Sequence, residues 1–288
     1  MRIVSLLPSA TEIVFALGLD DQLLGVTDEC DWPVAARDKR VVVRSRQPSG
    51  MTPGQIDDWV RAEAPNGGLY RLDDEAIAAI SPELLLTQDL CRVCAVPTGD
   101  VDAALARIGC PATVVTLEPQ RLEEVIASVG DVADAAGEAV RGRRLVAELN
   151  ARLGAVRDAV RGRRANPTLV LEWLDPPFTA GHWVPDVIAA AGGDPLLGVP
   201  GGRSKAASWD EVLRTDPEVV VLAPCGTPSV QALAQADALV PAELLRRRVV
   251  AVDLARPGPR LVDSVEALAS VLHPDAGLPP RPDVVLAR

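Results

Sequence analysis

Residues 2–18, Arg2-Ile3-Val4-Ser5-Leu6-Leu7-Pro8-Ser9-Ala10-Thr11-Glu12-Ile13-Val14-Phe15-Ala16-Leu17-Gly18, read as one strand followed by one helix. The run Arg2–Leu7 is short and apolar, the signature of a buried strand. Ser9 and Glu12 have the spacing of a capping box, which predicts a helix opening there, continuing through Leu17 and stopping at Gly18. The same succession recurs outward from this unit. Strands are expected at Leu23–Thr27, Arg40–Arg44, Leu84–Thr87 and Thr113–Leu117, then at Thr168–Glu172, Glu218–Ala223 and Val249–Asp253. Helices are expected at Val184–Ala191, with Pro185 in the opening turn and Gly192-Gly193 as the stop, and at Ser208–Arg214. Strands alternating with helices predict an α/β fold of mainly parallel sheets covered by helices.

Between the two series lies Gln120–Arg164, which offers no strand. Leu145, Leu149, Leu153, Val156 and Val160 recur at helical spacing, predicting one amphipathic helix of roughly 25 residues, or about 38 Å. Asn166-Pro167 is expected to end it. The chain therefore divides into an N-terminal α/β lobe (1–119), a helical segment with a long rigid bridging helix (120–164) and a C-terminal α/β lobe (165–288). Two lobes joined by one stiff helix predict a ligand cleft between them.

Composition narrows the function. The 288 residues carry 40 Asp and Glu against 29 Lys and Arg, a net charge of −11, which disfavours nucleic acid as a partner. The clustered Arg141, Arg143, Arg144, Arg157, Arg161, Arg163 and Arg164 are interleaved with acids and read as a solvated helix face. The longest apolar runs are strand-sized, so membrane insertion is not expected. Met1-Arg2 leads at once into a strand, which predicts no leader and a cytoplasmic location. In a reducing compartment the five cysteines are read for metal or thiol chemistry rather than disulfides.

Ligands of open parallel sheets sit beyond the carboxyl ends of the strands. The loops expected there carry Ser9, Cys30, Trp32, Cys91, Cys94, Trp173, Phe178, His182, Trp183 and Cys225. Cys91-Arg92-Val93-Cys94 has the two-residue spacer that lets both sulfurs reach one ion, and Cys30 and Cys225 could complete a four-thiol site for zinc or an iron–sulfur cluster. The same thiols could instead be small core hydrophobes, or Cys91 and Cys94 a redox pair. Aromatic residues make up only 3% of the chain, so four of them on these loops point to a broad, flat ligand. Trp59 and Trp209 read as helix residues packed in a core. Asp28, Glu29, Asp31, Glu172 and Asp175 add carboxylates to the same loops. His182 could bind a ligand or metal, or merely open the helix behind it; His273 closes the last helix and is assigned no function.

The stretch Arg2–Glu12 resembles the opening of the class III, helical-backbone periplasmic-binding-protein family that serves cobalamin and iron-siderophore transporters. The likeness is nearest to its leaderless subgroup of cobalamin-binding, ABC-transporter substrate-binding chains. Further marks are Glu29-Cys30-Asp31-Trp32-Pro33, Leu69–Asp73, Thr87–Val96, Glu172-Trp173-Leu174-Asp175, Gly181-His182-Trp183-Val184-Pro185 and Pro224-Cys225-Gly226. The resemblance implies two α/β lobes joined by a backbone helix and non-enzymatic capture of a corrinoid, haem or siderophore. Cobalamin is then the expected ligand, with Ser9, Trp32, Trp173, Phe178, His182 and Trp183 around it. An ABC importer is the family's partner, but a cytoplasmic chain would not meet one from outside. The alternative expectation is a metal-centred enzyme or sensor built on the same scaffold around Cys30, Cys91, Cys94 and Cys225.

Overall fold

A computed structural model describes residues 1–64, 69–89, 96 and 98–288. The chain divides into two compact units, Met1–Pro119 with Ile126–Ala147 and Gln120–Val125 with Glu148–Arg288. Each is an α/β unit with a sheet covered by helices, mainly parallel in the first and mixed in the second.

The first unit is built on β1 (Ile3–Ser5), β2 (Leu23–Thr27), β3 (Arg40–Ser45), β4 (Tyr70–Leu72), β5 (Leu84–Thr87) and β6 (Thr113–Thr116), in the spatial order β4-β3-β2-β1-β5-β6. Every pair is parallel except β3 with β4. The chain leaves β1 toward β2 and β3, then crosses to β5 and β6 on the other side. The order reverses between β1 and β5, the kind of switch point at whose carboxyl side open α/β sheets bind ligands. Helices α1 (Pro8–Ala16), α2 (Pro53–Glu63), α3 (Asp74–Ile80) and α4 (Thr98–Ile108) connect the strands. Val4, Leu6, Val42, Val43, Ile77, Leu85 and Leu105 form the packed centre. Each such side chain contributes about 1.5–3 kcal/mol by leaving water.

The capping box expected at Ser9 and Glu12 does not form. Helix α1 starts two residues earlier, with Leu7 rather than Ser9 as its N-cap, no side-chain cap and Pro8 in the first turn. Proline lacks an N–H and its φ already suits that position, so the turn needs no borrowed oxygen there. Ser9 and Glu12 are buried on the helix instead.

The long helix expected in the helical segment is present as a single helix carrying Leu145, Leu149, Leu153, Val156 and Val160, and a shorter helix precedes it. The segment thus holds two helices, α5 (Leu122–Ala135) and α6 (Ala139–Val160), the second of 22 residues. Gly137, at φ +74°, makes the left-handed turn between them. A side chain there would strain the backbone. Asn166-Pro167, expected to end the helix, instead opens the next strand.

The second unit contains β7 (Asn166–Leu174), β8 (Pro177–Thr179), β9 (Gly193–Leu196), β10 (Lys205–Ala206), β11 (Val219–Leu222), β12 (Arg248–Ala251) and β13 (Leu286–Ala287). Their order is β10-β8-β7-β11-β12-β13, with β9 also pairing β7. Strands β9, β7, β11 and β12 are mutually parallel, β8 and β13 run the other way, and β10, antiparallel to β8, runs with β7. All four residues of β11 are buried, as a central strand covered on both faces requires. Its helices are α7 (Val184–Ala190), α8 (Trp209–Leu213), α9 (Ser229–Leu239), α10 (Ala242–Leu245) and α11 (Leu261–Leu272). Here the order reverses between β7 and β11. Arg152 of α6 ties this unit to α11, donating to Glu266 at 2.7 and 2.8 Å and to Asp263 at 2.5 Å.

Candidate functional site

The carboxyl ends of the second sheet carry the better-furnished face. Strand β7 delivers Trp173, and the hairpin behind it brings Phe178 opposite, in direct cross-strand register. Residues paired across antiparallel strands share one face, so the indole and the phenyl ring project from the same face of the hairpin. Both are half-buried. Trp173 donates its Nε1–H to the Asp175 carbonyl at 3.0 Å, which orients the ring. Next door, across the switch point, the Cys225 amide donates to the Glu172 carbonyl at 3.2 Å. Beyond β12, Asp253 accepts from the guanidinium of Arg260 at 3.4 Å.

Glu172 decides the shape of this face. The pairing of β7 with β8 slips by one residue between Leu171 and Trp173, leaving Glu172 as the additional residue. Such a slip re-aims a side chain. One Glu172 carboxylate oxygen accepts from the Gly181 amide at 3.0 Å, and the other accepts from the Ser204 hydroxyl. The loop after β8 is thereby bound to the loop before β10. A Cβ on Gly181 would stand 2.2 Å from the Ser204 nitrogen, so only glycine permits this approach. Glu172 is a structural clamp here, and both its oxygens are engaged.

His182 follows directly. Its backbone N–H donates to the Gly202 carbonyl at 2.5 Å, and its carbonyl accepts from Gly201 at 3.0 Å. Its Nδ1 lies 3.0 Å from the amide oxygen of Gln120. Burial, with the nearby charge of Arg203, holds its pKa below the usual histidine value. Trp183, expected on the ligand wall, is instead 6% exposed and donates Nε1–H to the Leu254 carbonyl at 2.8 Å. It belongs to the interior. His273 caps α11 and its Nε2 bonds the Gly192 carbonyl at 3.0 Å.

In the first unit, Trp32 stands 47% exposed after β2, and Ser9 is 3% exposed. Trp59, expected in a core, is half-buried and lines a shallow depression with Ser49, Gly50, Met51, Gln55 and Asp58. Cys30 is 3% exposed, in a chain of hydroxyl contacts. Its sulfur lies 3.1 Å from Thr11 Oγ1 and 3.3 Å from Thr27 Oγ1. Thr11 donates to Ser5 Oγ at 2.9 Å, and Ser5 donates to the Leu7 carbonyl at 2.9 Å. Each group has one proton, so the direction is forced: Thr27 donates to Cys30, Cys30 to Thr11, Thr11 to Ser5.

This geometry leaves the expected four-thiol centre without support. Cys30 is held as a hydrogen-bonded thiol, Cys225 is exposed and Cys110 half-buried. Cys91 and Cys94 lie outside the described residues. Among the described residues, no three of His, Cys, Asp and Glu converge on a point that could hold a metal ion. No helix among the described residues is long and apolar enough to cross a membrane.

Sequence reasoning missed Gln120, which partners His182 from the start of the helical segment, and the joint role of Ser204 and Gly181. Nothing in local periodicity links residues 62 positions apart, as Gln120 and His182 are.

A family model described as periplasmic binding protein matches residues 3–251. The chain is 25% identical over 291 residues to an uncharacterized ABC transporter substrate-binding lipoprotein, YvrC, of Bacillus subtilis (strain 168), spanning 95% of this chain and 80% of that one. It is 26% identical over 290 residues to a cobalamin-binding protein of Halobacterium salinarum (strain ATCC 29341 / DSM 671 / R1), spanning 94% and 69%. A solved periplasmic heme binding protein from Pseudomonas aeruginosa superposes with a TM-score of 0.72 at 21% identity, over 99% of this chain and 97% of that one. At that identity the likeness speaks for the fold.

Proposed function

Because the chain belongs to the periplasmic-binding-protein family, we propose that it is a receptor that captures a cobalamin- or haem-type metal chelate and passes it to an ABC importer. The cross-strand pair of Trp173 and Phe178 carries this reading. Two flat apolar rings on one face, at the carboxyl edge where such sheets bind ligands, suit a planar macrocycle better than a small polar solute. The names of the Halobacterium and Pseudomonas relatives point to the same ligand class. The substrate-binding lipoprotein of Bacillus points to the importer.

Binding by itself is the whole activity on this reading. The carboxylate next to Trp173, Glu172, has both oxygens occupied by Gly181 and Ser204. Titration of the protein with aquacobalamin and with hemin, followed by tryptophan fluorescence, tests the proposal. Saturable quenching by at least one of them is expected, and its absence with both would end it. Delivery to an importer happens outside the cytoplasm. Cell fractionation therefore separates this role from the cytoplasmic one expected from the sequence.

A further inference from the structure

We propose that His182 coordinates the metal of the bound macrocycle through Nε2, with Gln120 holding the imidazole in the tautomer this requires. The inference rests on the receptor reading above and adds to it a direct bond to the cargo's metal.

Of the two histidines, His273 is buried and its Nε2 is used by Gly192. His182 is different. An amide oxygen can only accept, so the 3.0 Å contact with Gln120 requires the proton on Nδ1. The lone pair of the neutral ring then sits on Nε2. Metal-binding histidines are characteristically set this way, by a hydrogen bond from the other ring nitrogen to an oxygen. Nε2 itself makes no hydrogen bond among the described residues and is not sealed from solvent. Burial and the Arg203 charge disfavour protonation, which keeps the lone pair available near neutral pH.

The backbone adds a second observation. His182 has φ +49°, in the left-handed region that non-glycine residues seldom occupy. Glycine would sit there without strain, yet this position carries an imidazole. The strained residue is held by the ladder to Gly201 and Gly202, and its neighbour Gly181 is held by Glu172. Glu172 is also the residue next to Trp173, so the imidazole arises from the loop that the aromatic hairpin anchors.

The donor count selects the cargo. A bare zinc or similar ion needs three or four protein ligands, and no such group converges among the described residues. A metal already held by a macrocycle needs only an axial donor. In aquacobalamin the step is a substitution: the Nε2 lone pair forms the new cobalt–nitrogen bond as the bound water leaves, with no change of oxidation state.

The test uses the full chain with aquacobalamin, hemin and cyanocobalamin as probes, and with His182→Asn and Gln120→Leu as variants. Asparagine tolerates φ above zero, so His182→Asn separates loss of the ligand from loss of the fold. Fluorescence quenching reports binding, and the visible absorption bands report coordination. The native chain is expected to shift the bands of aquacobalamin or hemin. His182→Asn should abolish the shift and weaken binding at least about tenfold, and Gln120→Leu should weaken it about tenfold. Cyanocobalamin, whose axial positions are filled, should bind native and variant chains alike. Quenching without a band shift, or a shift that survives His182→Asn, overturns the coordination while leaving the receptor. Absence of quenching with every probe overturns both.

Discussion

Glu172 and Gly181 are joined by a 3.0 Å hydrogen bond from the glycine amide to the carboxylate, across a one-residue slip in the pairing of β7 and β8. Through that bond, and a second from Ser204 to the other oxygen, one side chain holds two loops beside the aromatic pair. Glu172→Ala should lower stability by about 2 kcal/mol, the scale of a charged hydrogen bond lost together with the pairing it satisfied. Urea unfolding measures this; an unchanged midpoint would remove Glu172 from the role of clamp.

Gly181→Ala should be harsher than an ordinary loop substitution. Its methyl group would fall 2.2 Å from the Ser204 nitrogen and 2.6 Å from the Arg203 carbonyl carbon, both backbone atoms. Overpacking of this kind costs about 1–3 kcal/mol. A thermal melt within a degree of the native chain would show that the loops part freely.

The two described thiols at opposite extremes of exposure should react differently. Cys225 is exposed, and Cys30 is 3% exposed and hydrogen-bonded to Thr11 and Thr27. Cys225→Ser should remove one fast-reacting thiol in a disulfide-exchange assay, whereas Cys30→Ser should leave the fast phase unchanged. Cys30→Ala should cost about 1–3 kcal/mol by leaving buried hydroxyls without their partner. Rapid labelling of Cys30 in the native protein would contradict the hydroxyl chain.

The lowered pKa of His182 has a definite sign in stability. Between the folded value and the ordinary 6.5, the unfolded chain binds more protons than the folded one. Stability therefore rises with pH through that window, and the contribution of neutral His182 is lost as pH falls through its folded pKa. The dependence should be weaker in His182→Asn. Proton NMR of the imidazole should show a midpoint below 6.5; a midpoint above it would reverse the slope and the assignment.

Trp173 and Trp183 should separate binding from stability. Trp173 is half-buried beside Phe178, while Trp183 is interior and tied to Leu254. Trp173→Ala should weaken macrocycle binding about tenfold or more, with the fold retained. Trp183→Phe keeps the ring's bulk and loses one hydrogen bond, so it should cost about 1 kcal/mol of stability and leave affinity alone. Equal effects of the two substitutions on affinity would undo the distinction.

The parallel strands are legible because each is a nearly unbroken apolar run, and a strand covered on both faces can carry little else. Leu84–Thr87 and Val219–Leu222 are buried throughout, and both are evident in the chain alone. The short antiparallel pieces are not. Gly193-Asp194-Pro195-Leu196 has no strand pattern, and it becomes β9 only because β7 offers it a ladder. In the helical segment the spacing from Leu145 to Val160 marks α6, while the left-handed turn at Gly137 that separates it from α5 lies upstream of that pattern.

The amino-acid sequence by itself determined the alternation of strands and helices, and its motifs, such as Arg2–Glu12, carried the resemblance to the family. The alternation follows because burial and local backbone preference act over a few neighbouring residues. The tertiary structure alone decided which loop residues are available for function. It buried Trp183, engaged Cys30 with Thr11 and Thr27, closed Glu172 onto Gly181 and Ser204, and turned Gln120 to His182. Those outcomes depend on hydrogen bonds between groups far apart along the chain, which become neighbours only when the sheet assembles.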